Sequence, residues 1–215
     1  MSRYVNRLSA AAVLWLVSTA AVAADENEAA YTRTITERAD RIVGQLGIDD
    51  GEKAARVRDL IAGQYRVLRE IHDGRDAKLG QAAPPGDPAV AQAWANVVRD
   101  QANRQQFGLH RQFVARLSAE LTPEQLDQVK DGMTSGVVPI TYCRYLELLP
   151  DLTDAEKAAV LANLLEAREY AMDAGSSDEK HNWFRKYKGR INNYLSSAGY
   201  DMKQAEQNWA ARQRP

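Results

Sequence analysis

The sequence predicts an all-α fold, a single multi-helix domain. Three observations carry that reading. Apolar residues recur at helical spacing along nearly all of the chain, capping residues restart the pattern several times, and no segment alternates polar and apolar residues over the length of a strand.

The elements follow in order. Residues 32–46 place Ile35, Ala39, Ile42, Val43 and Leu46 on one side, and Gly47 ends that helix. Asp49 and Glu52 read as a capping-box pair that opens a long helix. Its apolar positions are Val57, Leu60, Ile61, Tyr65, Leu68 and Ile71. The run from Ala82 to Pro88, rich in proline and glycine, is a break. A second long helix runs from there to about Leu121. Thr122-Pro123-Glu124-Gln125 then supplies an N-cap, a proline at the first helical position and a box partner. Pro139 disfavours helical backbone at Val138, so residues 136–140 are expected to form a buried extended loop. Thr153 and Glu156 repeat the capping signal for a helix ending at Gly175. Ser176 or Ser177 opens another that ends near Gly199, and a short last helix starts at Asp201. The expected total is six to seven helices. The helix starts at Asp49, Thr122 and Thr153 resemble one another, but their irregular spacing points to shared cap chemistry and not to a repeat, which needs a fixed period.

The first residues read as an export signal. Arg3 and Arg7 give a positive start, Leu8 to Val22 carries no charge, and Ala21-Val22-Ala23 is a small-x-small cleavage site. The apolar stretch is short beside the roughly 20 residues that a membrane span needs. The expectation is a signal peptide over 1–23, one helical domain over 24–215, and a periplasmic or secreted location. No membrane span is expected in the mature chain.

The charge balance narrows the partners. Lys and Arg total 28 against 29 Asp and Glu, a formal net charge of −1, and loss of Arg3 and Arg7 would leave the chain more acidic. Such a surface is unsuited to nucleic acid. Cys143 is the sole cysteine, so an internal disulfide is excluded. There is no GxSxG, P-loop, GxGxxG or HExxH motif, and no cofactor or metal site is expected.

Two segments concentrate polar chemistry. In the first, Trp183, Phe184, Tyr187, Ile191, Tyr194 and Leu195 share one helical face and read as core. The remaining faces carry His181, Lys186, Lys188, Arg190, Asn192 and Asn193. No acid occurs from Lys180 to Tyr200, and Gly189 sits mid-helix at a cost of about 1 kcal/mol relative to Ala. A solvated basic face, with Gly189 allowing close helix packing, is the plain reading; a binding surface is the functional one. The second segment holds His72, Asp73, Arg75 and Asp76. His72 and Asp76, four apart, share a helix face, which suits a salt-bridged helix end as the plain reading, or an oriented imidazole or two metal ligands as the functional one.

Lys130-Asp131-Gly132-Met133, Gly136 to Tyr142, Ala171 to Ser177 and Lys186 to Leu195 together resemble the domain-of-unknown-function family 3826. Ile71-His72-Asp73 with Arg75-Asp76 extends the likeness over nearly the whole mature chain. The resemblance implies an exported bacterial protein of a family described as sugar-binding, and it implies no catalytic residues. Basic groups, amides and aromatic tips suit sugars, acidic ones in particular. The expected function is therefore carbohydrate binding or processing at a concave site where Tyr142, His181, Lys186, Lys188, Arg190 and Asn193 converge, with His72, Asp73 and Arg75 as further candidates. Short likenesses at Leu121 to Gln125 and Leu152 to Asp154 keep a periplasmic helical-hairpin chaperone or scaffold protein as the alternative.

Overall fold

The computed structural model describes residues 9–81 and 87–212, with side chains from Glu26 onward. Of the expected signal peptide, residues 1–8 lie outside the described residues and residues 9–23 fall in α1, without described side chains; residues 82–86 of the proline-rich break also lie outside. Among the described residues there are eight helices and no strand: α1 (Ser9–Val43), α2 (Gly51–Gly80), α3 (Pro88–Glu120), α4 (Pro123–Met133), α5 (Val137–Leu148), α6 (Asp154–Ala171), α7 (Ser177–Ser197) and α8 (Met202–Arg212).

Capping chemistry sets most of the boundaries. Thr122 and Thr153 each accept the amide of the residue three positions on, while Gln125 and Glu156 reach back to the cap amide. Ser176 caps α7 by accepting Glu179 N. The start of α2 differs in detail from expectation. Asp50, not Asp49, is its cap, and the Asp50 carboxylate accepts Glu52 N and Lys53 N.

Residues 137–140 form a helix where an extended loop was expected. Pro139 stands in the first turn of α5, where its missing N–H has no helical partner to lose, so the ring is tolerated. Gly136 takes the left-handed conformation before it, at φ 66°. Helix α5 raises the total from the expected six or seven to eight.

Two apolar clusters hold the domain together. One joins α1 to α4 through Ile35, Ala39, Ile42, Val57, Ile61, Phe113, Leu117 and Val129. The other joins α5 to α8 through Tyr145, Val160, Leu164, Phe184, Tyr187, Ile191 and Leu195. Met172, just past α6, crosses into the first cluster. In α7 the predicted core face is buried at Phe184, Tyr187, Ile191 and Leu195, whereas Tyr194 is exposed. Helix α2 packs on α1 and α3, and α6 packs on α5 and α7.

The seam between the two halves is polar. Arg168 on α6 is 3% exposed. Its Nη1 lies 2.8 Å from Asp131 Oδ1 and its Nη2 2.5 Å from Asp127 Oδ1, both carboxylates on α4. Lys130 Nζ donates to both oxygens of Glu169, at 2.9 and 3.0 Å. A buried ion pair needs such multiple partners to offset the desolvation of its charges.

Candidate functional site

On one side of this seam α2, α3, α6 and α7 leave an open cleft of about 960 Å³. Its floor is a hydrogen-bonded cluster around the loop that links α6 to α7. His110 on α3 approaches two carboxylates at once: Nδ1 lies 2.7 Å from Asp173 Oδ2, and Nε2 lies 3.3 Å from Glu169 Oε2. His72 on α2 is buried, and its Nε2 lies 2.8 Å from the carbonyl of Asp173. Gln106 meets the same imidazole, and Gln64 Nε2 donates to Asp173 Oδ1 at 3.4 Å.

The hydrogen bond to Asp173, followed by that to Glu169, lifts the His110 pKa to about 9. Burial pushes the Glu169 carboxyl up, but bonds from His110 and Lys130 outweigh it and hold the group at about 2. At neutral pH the floor is therefore an imidazolium between two carboxylates. With both ring nitrogens engaged and protonated, His110 orients and neutralises but does not accept a proton. Among the described residues no group of three or more His, Cys, Asp or Glu is arranged to hold a metal ion.

The walls are aromatic. Tyr170 and Trp183 stack with ring centroids 4.6 Å apart and planes 17° from parallel. Tyr170 is nevertheless 47% exposed, and Phe107 on α3 is 65% exposed. Lys186 Nζ lies 4.9 Å from the Trp183 ring centroid, where the ring face attracts a cation. Arg75 pairs with Asp76 at 2.7 Å and with Glu179 at 3.3 Å. Glu179 in turn accepts Gly175 N at 2.8 Å, which ties the α6–α7 loop to α2. Arg104, Asn103 and Asn182 complete the polar rim.

Three of the residues singled out from sequence, His72, Arg75 and Lys186, line this cleft. The expected convergence of the others is not found. Tyr142 packs against the second core cluster. His181 is exposed and bonds the carbonyl of Ser177 in its own helix. Arg190 lies over the Tyr187 ring and 3.6 Å from Glu166, while Lys188 and Asn193 point to solvent elsewhere on α7. Asp73 is exposed near Arg69. The His72–Asp76 pairing is also absent: His72 turns inward to Asp173, and Asp76 serves Arg75. The reason is rotational. The cleft meets α7 only along Glu179, Asn182, Trp183 and Lys186, one narrow stripe of the helix.

Sequence reasoning passed over His110, Phe107, Glu169 and Tyr170. A signal existed in the spacing. Phe107 and His110 are three apart on α3, as are Gln106 and His110's neighbour Leu109, so aromatic, amide and imidazole fall on adjoining helical rows. Gly189, read as a packing device, has nothing within 4 Å of where a Cβ would stand. Asn192 does have a local reason, since its Oδ1 accepts the hydroxyl of buried Tyr145 at 2.7 Å.

The model of a family described as protein of unknown function (DUF3826) matches residues 32–215 of the chain. No curated protein matches the sequence.

Proposed function

Because the chain belongs to the DUF3826 family, whose description assigns no activity, we propose its function from the cleft: it binds carbohydrate between α2–α3 and α6–α7. The observation that carries this reading is the pair of exposed aromatic surfaces, Phe107 on one wall and the Tyr170–Trp183 stack on the other, above a floor of fixed hydrogen-bonding groups. Sugar rings present apolar C–H faces to aromatic rings and hydroxyls to amides and charged groups. Asn103, Asn182, Arg104 and Lys186 stand at the rim for the hydroxyls. The floor is pre-ordered by its own bonds, so little side-chain entropy would be lost on binding.

The cleft is close to electrically balanced: Arg75, Arg104, Lys186 and protonated His110 face Asp100, Glu169, Asp173 and Glu179. That balance suits the ring and hydroxyls of a sugar more than a dense anion. A converging polar floor also favours a small-ligand cleft over the chaperone alternative, which requires an open apolar groove.

The test is a calorimetric titration of the full chain with neutral and acidic oligosaccharides, repeated with Trp183→Ala. Binding that weakens at least ten-fold in the variant, with the melting temperature held within a few degrees, is the expected result. No binding to any oligosaccharide by the unaltered chain would overturn the proposal.

A further inference from the structure

On another flank of α7 a second cleft of about 740 Å³ opens between α1, α4 and the start of α5. Its lining residues are all different from those of the aromatic cleft. On α7 it takes Ser177 and Lys180, whereas the aromatic cleft takes Glu179, Asn182, Trp183 and Lys186. At the turn of an α-helix these two stripes lie roughly 140° apart.

The second cleft is cationic where the first is balanced. Arg38 and Arg41, three apart on one face of α1, meet Lys180 across it. Among the described residues, no carboxylate comes within 4.0 Å of any of these three cations. The one acid in the lining, Asp131, already has an oxygen on Arg168 at 2.8 Å. Lys180 Nζ donates to the carbonyl of Met133 at 2.9 Å and lies 5.7 Å from the Tyr65 ring centroid, so it is held in place without being neutralised. Burial draws the Lys180 pKa down and nearby Arg38 draws it further, against a smaller upward pull from Asp173. Three cations gathered around one concave surface repel one another unless an anion sits between them. Arg forks and a fixed ammonium match the oxygens of a carboxylate or a sulfate.

We propose that this second cleft is an oxyanion site, in which Arg38, Arg41 and Lys180 bind a carboxylate or sulfate group. The assignment stands on the charge and geometry of this cleft and is independent of the carbohydrate reading. The anion comes either free or as a substituent on a larger ligand, and the two sources are separable by experiment.

Calorimetric titrations of the full chain would use sodium sulfate, a sulfated oligosaccharide and its unsulfated counterpart. The variants are Arg38→Gln with Arg41→Gln, Lys180→Met, and Trp183→Ala as a control in the other cleft. Arg38 and Arg41 are exposed, so their double replacement leaves the packing intact, and a matching melting temperature checks this. The expected result is sulfate binding by the unaltered chain that falls at least ten-fold in the arginine variant and in Lys180→Met but changes less than two-fold in Trp183→Ala. If the sulfated oligosaccharide binds ten-fold tighter than sulfate and keeps the arginine dependence, the anion arrives on a larger ligand; equal affinities assign the site to the free ion. No binding of either sulfated probe, or binding indifferent to the arginines, overturns the proposal. Failure of the unsulfated sugar alone would count against the carbohydrate reading and leave the oxyanion site standing.

Discussion

His110 Nδ1 lies 2.7 Å from Asp173 Oδ2, joining α3 of one half of the molecule to the loop after α6 of the other. With the bonds of His72 and Gln64 to the same residue, this contact helps fix the floor of the aromatic cleft, and it makes the floor's integrity depend on pH. The pKa of His110 rises from 6.5 to about 9, so its contribution to stability is complete below about pH 6.5 and is lost as pH climbs through 9. For Glu169 the pKa falls from 4.5 to about 2, so its contribution is complete above about pH 4.5 and is lost as pH drops through 2. From these two groups alone, stability is greatest between about pH 4.5 and 6.5. The alkaline loss is at most about 3 kcal/mol at 1.36 kcal/mol per pKa unit. Thermal melts at pH 6 and pH 9.5 should show a fall in melting temperature that largely disappears in His110→Gln. An unchanged difference in that variant would exclude His110 as its source.

Gly175 is required by the ring of His72. A Cβ at Gly175 would stand 2.7 Å from His72 Cγ and 2.9 Å from Cδ2, atoms in the body of a buried ring that cannot swing away. Gly175→Ala should therefore cost about 1–3 kcal/mol, the usual range for overpacking. It should also displace the imidazole from Asp173 and weaken ligand binding at the cleft. Chemical denaturation measures the first effect, and the shift of the His72 ring resonances measures the second.

Gly189 should behave in the opposite sense. It sits on the exposed face of α7 with nothing near the position of a Cβ. Gly189→Ala is expected to stabilise the protein by about 0.5–1 kcal/mol through helix propensity alone. Gly132→Ala provides the contrast, since its Cβ would meet Ile42 Cγ1 at 2.8 Å. A destabilising Gly189→Ala would mean that a partner approaches that face.

Arg168 holds the seam. Removing it strands Asp131, half-buried at the edge of the second cleft, without its principal partner. Arg168→Ala is expected to cost about 1.5–3 kcal/mol, the range for hydrogen bonds to charged groups, because the carboxylates left behind keep contact with water. Urea denaturation gives the value directly. A loss below 1 kcal/mol would show that the seam is held by its apolar contacts instead.

Much of this architecture was legible in the chain. Helix starts at Thr122, Thr153 and Ser176 were readable because a cap is a local event, settled by residues three positions apart. The apolar stripe of α7 was readable because helical periodicity reports which face turns inward. The start of α5 was misread for a local reason as well: a proline reads as a break unless one knows that it stands in the first turn. The site was less legible. His72, Arg75 and Lys186 were identified, yet the partners that give them meaning are far away in sequence. The bond from His72 to Asp173 spans 101 residues and that from His110 to Asp173 spans 63.

By itself, then, the sequence determined the helical class, most helix boundaries, the inward faces and the DUF3826 family, because each depends on neighbours along the chain. Only the tertiary structure decided which polar residues meet. A helix of 21 residues such as α7 offers every direction to its surroundings, and its packing on α6, with α3 and α1 facing it across the two clefts, chooses which stripes become cleft walls and which remain solvated. That is why Trp183 and Lys186 face one cleft, Lys180 faces another, and Lys188 and Asn193 face neither.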